Sequence, residues 1–403
     1  MADNPEVAAE PRPVGLPVVL GAVVVTLAAG YLLKLPCVTG SWTDGRPYNR
    51  LCYSDVVALY GAPDRDRGLA QDRVPYVSGE NEYPLLSGLA MWAAAVPAVS
   101  SVSFFNWTAL LLTACALGTA WALHRLAGGN ALLFALAPTL ALYAFINWDL
   151  VAVALATAGT LAFLRRRDLG AGALLGLGAA AKLYPALLVV PFGLDRGRAS
   201  RPVAAWRLAG AAVLTWGAVN LPFALAAPHR WSEFYRFNAV RPPDFDSVWY
   251  LLGWHLGFQW DIGVVNALSL VAFAVAAWGI WVGASRRRPG FPAWTFGFPF
   301  LVAFLLTNKV YSPQYGLWLL PWFALTLPDL RLFVAFEVAE VAVFVTRFQY
   351  FARLLDVGPG LPFGSFEIAL ALRAAVLVAC VVAWVRRGAE VPLAVPRPAL
   401  ETG

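Results

Sequence analysis

A few charged residues stand where an otherwise apolar chain turns polar, and their types suit acid–base and phosphate chemistry. Asp55 follows Tyr53-Ser54 and opens the run Val56-Val57-Ala58-Leu59-Tyr60. Tyr53, Val56, Val57 and Tyr60 fall at i, i+3, i+4 and i+7, one face of a helix. Ser54 is placed to cap that helix, and Asp55 then lies in its first turn, where the dipole favours an ionised carboxylate. Gly61 and Pro63 end it. An ionised acid on a short helix just outside a membrane span can act as a general base. It can also do no more than stabilise its own helix, and the residues alone leave both readings open. Lys182 in AAAKLYPALL and Lys309 in NKVYSPQY are ammonium groups beside apolar runs, where a charge needs a partner or a substrate. Each is either a lysine reaching for the interface or paired with an acid such as Asp149, or a point charge for a phosphate. Arg241 and His229 stand in a further polar stretch. His229 is one of three histidines and too isolated for a metal site, so it reads as an interfacial side chain.

Other chemistries find no foothold. Asp64-Arg65-Asp66 and Asp244-Phe245-Asp246 have the D-x-D pattern of metal-dependent nucleotide-sugar enzymes. Three residues match easily by chance, and both fall in segments expected outside the cell membrane, where nucleotide sugars are absent. There is no H-E-x-x-H, no Cys/His zinc spacing, no G-x-S-x-G and no phosphate-cradling G-x-x-x-x-G-K-S/T. No metal ligand and no ATP site is expected, while metal dependence as such is left open. Gly176 and Gly178 in GLGAAAK read as helix-packing positions.

The elements that must hold these residues are membrane helices. The chain has 403 residues, 60% of them hydrophobic and 13% charged, with 17 tryptophans. Apolar runs long enough to cross about 30 Å of hydrocarbon recur along its length. The expected class is an all-α polytopic membrane protein. Its net charge of +6 comes from arginines in short connections, which is the pattern of topology determinants and not of a nucleic-acid groove. His124-Arg125, Arg165 to Arg167, Arg196 to Arg201, Arg286 to Arg288 and Arg386-Arg387 are all placed in the cytoplasm. Met1–Pro13 is a net acidic cytoplasmic tail, and Val14–Leu35 is expected to stay as an anchor without cleavage.

The direction of each span follows. Val14–Leu35 runs outward, so residues 36–103 form a large outer loop bearing short helices. Within it Pro84–Val99 must dip in from the outer face without crossing, or every later arginine cluster would be reversed. Phe104–Leu123 goes inward, Asn130–Ile146 outward and Leu150–Leu164 inward. Gly170–Leu194 has cytoplasmic arginines on both flanks, so it is read as two short helices meeting near Lys182. Val203–Leu221 runs outward to a second outer loop, 222–261. Ile262–Ala284, Pro292–Leu306, Gly316–Leu327, Leu332–Thr346 and Phe366–Val385 complete twelve spans, with a disordered tail from 387 to 403. Asp55, Asp149, Lys182, His229, Arg241 and Lys309 then share the outer side. Cys115 and Cys380 lie in apolar runs as small core residues. Cys37 and Cys52, both in the outer loop, are either two free thiols or a disulfide. Closing about 15 residues would contribute on the order of 3 kcal/mol.

LCYSDVVALY, NEYPLLSGLAMW, INWDLVAVAL, LGLGAAAKLYP and NKVYSPQYGLWLLPW occur in that order between Tyr31 and Trp384. In this the chain resembles the bacterial glycosyltransferase family 87, polyprenyl-phosphate-dependent membrane enzymes of the GT-C superfamily that include α-1,2-mannosyltransferases. The resemblance implies a GT-C fold, one domain over 14–386, and a plasma-membrane protein with its active site on the extracytoplasmic side. It implies inverting transfer of a sugar, mannose being expected, from polyprenyl phosphate to a glycolipid or glycan acceptor, without a cofactor. Asp55 takes the position of the catalytic acid, acting as general base. Lys182 and Lys309, with Arg241, would hold the leaving phosphate, while Tyr53, Asp149, Tyr184, His229, Gln314 and Tyr315 would line the sugar or support these groups. A reading from another class keeps the same lysines: a non-catalytic lipid-linked-sugar binding protein or transporter.

Overall fold

The computed structural model describes residues 14–60, 74–77 and 81–387. The acidic tail, Asp64-Arg65-Asp66, the Gly61/Pro63 helix end and the tail beyond 387 lie outside them. No β-strand occurs among the described residues; every element is helical. α1 (Leu16–Val38) leads to two short helices, α2 (Arg46–Asn49) and α3 (Asp55–Tyr60), and then to α4 (Leu85–Ala95). α5 (Ser101–Ala127) is followed by the fragments α6 (Leu132–Ala135) and α7 (Pro138–Tyr143), then α8 (Asp149–Leu164) and α9 (Asp168–Ala181). α10 (Tyr184–Leu187), α11 (Val189–Arg198) and α12 (Pro202–Ala226) come next, and three short helices succeed them: α13 (Pro228–Trp231), α14 (Glu233–Val240) and α15 (Val248–Leu256). The last five are α16 (Ile262–Arg287), α17 (Gly297–Thr307), α18 (Gly316–Thr326), α19 (Leu330–Leu354) and α20 (Phe363–Arg387).

Among the described residues, five helical stretches are long and apolar enough to cross a membrane: α1, Ser101–Ala135, α12, α16 and α20. Other helices are shorter. α8 has 16 residues, about 24 Å at 1.5 Å per residue. α4 has 11, about 16 Å, and its Ser87 hydroxyl donates to the Ala181 carbonyl at 2.7 Å, which seats it beside the end of α9. α18 sits at the centre, with all its residues from Gly316 to Thr326 buried, as expected of a helix apolar on every side. α12 and α16 lie outermost and bury few residues, so Trp206, Leu214, Leu270 and Trp278 stand exposed as a lipid-facing surface.

Small residues set the closest packing. A Cβ on Gly30 would run into the main chain of Ala141, one on Gly176 into that of Ala212, and one on Gly178 would press on Pro185 at 2.9 Å. Gly176 and Gly178 thus serve helix approach, not a nucleotide.

Three boundaries differ from those the sequence suggests. Asn130–Ile146 is not one helix: a 3-10 turn at Gly128–Ala131, α6 and α7 divide it. Pro138 supplies no N–H and holds Ala137 extended, at φ −64 and ψ 122. The freed start of α7 is answered by Glu337 Oε2 of α19, which accepts from the Thr139 N–H and hydroxyl, each at 2.7 Å. α12 runs on through Pro222 to Ala226, and α13 to α15 take the place of an open loop beyond it. α19 extends beyond Thr346 to Leu354 because its polar residues there find partners, Arg347 among them.

The arginine clusters gather at one end. Arg196 pairs with Asp168 at 2.8 Å and donates to the Phe163 carbonyl at 2.6 Å. Arg198 donates to the Ser285 hydroxyl, Arg288 to the Trp384 and Val385 carbonyls, and Arg387 pairs with Asp329.

Candidate active site

At the opposite end the segment that follows α1 is fastened to it. A disulfide joins Cys37 to Cys52, and Lys34 of α1 donates to the Tyr53 carbonyl at 2.7 Å. Ser54 turns the chain into α3: its hydroxyl donates to the Phe145 carbonyl at 2.7 Å and accepts from the Val56 N–H. The Asp55 N–H donates to the Ile146 carbonyl at 2.8 Å. The Asp55 carboxyl accepts from the Tyr53 hydroxyl at 2.6 Å. Burial lifts this carboxyl above the usual aspartate range; the Tyr53 hydrogen bond and the charges of Lys182 and Arg347 offset part of that rise. The result is a carboxylate more basic than one in water.

The Asn147 side chain, just ahead of α8, accepts from the Asp149 N–H at 3.0 Å. Asp149 is buried, and its two oxygens are divided between Lys182 Nζ at 2.9 Å and the Trp318 indole N–H at 3.0 Å. Lys182 therefore has the acid partner that its sequence position left open. Its ammonium also lies 4.9 Å from the centre of the Tyr315 ring. Trp318 is sandwiched between Tyr184, at 4.3 Å, and Tyr315, at 4.0 Å, both nearly parallel to it.

Lys309 differs. Nζ donates to the Arg241 carbonyl at 2.8 Å and lies 3.4 Å from that of Ala239, and no carboxylate pairs with it among the described residues. Burial and the nearby Arg241 guanidinium pull it below the usual lysine range, the behaviour of a cation short of an anion. Arg241 shares Asp244, at 3.4 Å, with Arg347, at 3.6 Å.

These groups line one cavity of about 630 Å³. Tyr53, Asp55 and Glu82 line it together with Lys182, Arg241, Lys309, Tyr184, Gln314 and Tyr315. Phe234, Phe237, Phe304 and Leu183 add an apolar side. The arrangement offers a basic carboxylate and one cation without a carboxylate partner among the described residues, Lys309, in one chamber with apolar residues in its lining. That set can take a proton from a hydroxyl and stabilise a phosphate.

The structure brings together Asp55, Lys182, Lys309, Arg241, Tyr53, Tyr184, Gln314 and Tyr315. Asp149 lies behind the wall as the partner of Lys182. His229 does not join them: it is exposed on α13, with Arg236 donating to its ring at 2.6 Å. Asp244 and Asp246 are no metal pair. Arg347 contacts both, Arg373 lies 3.5 Å from Asp246, and the arginines hold Asp244 below its usual range despite its burial. No group of three or more His, Cys, Asp or Glu that could hold a metal ion occurs among the described residues.

Sequence reasoning missed Lys34, Arg347, Arg373 and the acids Glu337 and Glu340. All are buried or nearly so in α1, α19 and α20. The available signal was a charge inside an apolar helical run, which marks an internal partner.

No curated protein sequence matches the chain. The sequence model of glycosyltransferase family 87 matches residues 82–313. That segment contains Asp149, Lys182, Arg241 and Lys309, while Asp55 precedes it. With more than half its length so matched, this chain belongs to glycosyltransferase family 87.

Proposed function

We propose that the protein is an inverting glycosyltransferase of the plasma membrane. It moves a sugar, mannose by our reading, from polyprenyl phosphate to a glycolipid or glycan acceptor on the extracytoplasmic side. The observation that carries this is the one cavity that the half-buried Asp55 and the carboxylate-free Lys309 both line. Asp55 accepts the proton of the acceptor hydroxyl. The acceptor oxygen forms its bond to the anomeric carbon from the face opposite the phosphate. The old carbon–oxygen bond breaks, and its electron pair stays on the phosphate oxygen. Lys309 and Arg241 meet the charge that grows there, where positioned cations act most strongly. Lys182, neutralised by Asp149, contributes hydrogen bonds more than net charge. The apolar side formed by Phe234, Phe237 and Phe304 suits the first isoprenes of the lipid.

The twelve-crossing arrangement belongs to the same proposal. Its support is that the arginine-rich ends of α8, α11, α16 and α20 contact one another or their flanks, while Asp149, Lys182 and Lys309 gather at the far ends. In it the short helices α9, α10–α11, α17 and α18 each take one crossing.

The test is transfer by the purified protein, given polyprenyl-phosphate-mannose and a membrane glycolipid acceptor, with the anomer identified by NMR. An inverted glycosidic product that disappears in Asp55→Asn, with donor binding kept, is expected. Full turnover in that variant would remove Asp55 as the base. Binding and flipping of the donor without any product, in the wild type, would favour a transporter.

A further inference from the structure

The outer end of α1 carries two residues that grip the same point of the first outer loop. Cys37 is bonded to Cys52. One helical turn earlier, Lys34 holds the carbonyl of the next residue, Tyr53, at 2.7 Å. The disulfide alone would fasten the loop, so the lysine calls for a separate reason. Its side chain is fully buried in an apolar helix, with the Phe344 ring 5.7 Å away, and among the described residues no carboxylate pairs with it. A buried ammonium with one carbonyl partner is costly to keep. The anion that acts on it is Asp55.

The path between them is short. The Tyr53 ring packs in one cluster with Tyr48, at 5.7 Å, and Phe348 of α19, at 4.9 Å. Its main chain is fixed by Lys34, and its hydroxyl donates to Asp55 at 2.6 Å. We propose that Lys34 is a positioning residue for the reaction: by holding the Tyr53 main chain it fixes the hydroxyl that donates to Asp55, and so the direction of the Asp55 carboxylate. This rests on the reading of Asp55 as the general base.

The other groups that face Asp55 do not replace it. Tyr53 donates directly; Lys182, between α9 and α10, and Arg347, on α19, are cations; Asp149, at the head of α8, is a like charge. Tyr48 and Tyr83 feel the same carboxylate. Lys182 is already matched by Asp149, and Arg347 by Asp244 and Asp246. Among the described residues, none of them hydrogen-bonds to the Tyr53 main chain, which Lys34 holds.

The experiment uses the full-length protein in nanodiscs and follows the Asp55 carboxyl by infrared spectroscopy against pH, identified as the band absent from Asp55→Asn. In Lys34→Met the midpoint should rise by about one pH unit, and Lys34→Arg should bring it back. The acid limb of kcat/KM should move with it while KM for polyprenyl-phosphate-mannose stays put. Tyr53→Phe, which keeps the lysine and the ring stack, should raise the midpoint in the same direction. An unchanged midpoint in Lys34→Met, whatever its Tm, would reduce Lys34 to a fastener of the loop. If Lys34→Met does not fold, an unchanged midpoint in Tyr53→Phe overturns the relay. A wild type that transfers no sugar but shows these infrared shifts would sink the base reading and leave the link from Lys34 to Asp55 standing.

Discussion

At the arginine-rich end of the bundle, Arg196 is divided between the Asp168 carboxylate and the Phe163 carbonyl and lies on the Phe163 ring at 3.9 Å. At the cavity end, Lys309 holds main-chain carbonyls and no carboxylate among the described residues. Both are basic residues in short connections between apolar runs. The difference is what packing leaves around them. Around Arg196 the ends of α8, α9 and α11 close on the guanidinium. Around Lys309 and Arg241, α14 has none of its residues buried, and a chamber stays open. A cation whose neighbours satisfy it ties helices together. One whose neighbours stop short of an anion is ready for a ligand.

Substitutions at the two ends should separate these roles. The largest effect belongs to Asp55→Asn, which should lower the transfer rate about 10²- to 10⁴-fold. Its Tm at neutral pH should hold or rise. Burial raises the Asp55 pKa on folding, so stability falls as pH climbs from the unfolded value of about 3.9 toward the folded one, and Asn removes that cost. A Tm loss would show the acid to be structural. For Arg196→Ala the expectation is reversed: a loss of about 3–5 kcal/mol in stability by denaturant titration, with kcat/KM per folded molecule unchanged. Lys309→Ala should weaken donor binding by about 1.5–3 kcal/mol, the worth of hydrogen bonds to a charged group, read as a higher KM with Tm nearly kept. A KM left alone would place the phosphate elsewhere. Arg387→Ala breaks an exposed pair with Asp329, and by the same titration should cost no more than about 1 kcal/mol. A larger loss would mean that the arginine-rich end is held by its surface pairs.

How much of this was readable before the structure depends on whether the signal was local. Ser54-Asp55 before an i, i+3, i+4 stripe marked the start of α3, and the break at Lys182 was visible from Pro185 and the flanking arginines. Family-specific stretches around Lys182 and Lys309 placed two cations of the cavity. Partners far apart in the chain left no trace: Glu337 answers Thr139 across 198 positions, and Arg347 reaches Asp246 from another helix. The same blindness made Asp244-Phe245-Asp246 resemble a metal motif when it is a seat for arginines. Asn130–Ile146 looked continuous because hydropathy does not register the hydrogen bond that Pro138 withholds. His229 drew notice as a rare residue type, which says nothing of where a side chain ends.

In the proposed arrangement α8 is one of the crossings and the donor a lipid phosphate, and the brevity of that helix then bears on the surrounding lipid. Asp149 opens the helix and Arg165 follows its end, so two polar levels are held about 24 Å apart, against about 30 Å of hydrocarbon in an ordinary bilayer. A mismatch of that size is relieved by thinning of the adjacent leaflet or by tilt, each at a modest cost. Thinning beside the cavity would draw headgroups and water down to the level of Lys182. A lipid phosphate could then arrive at that depth already hydrated.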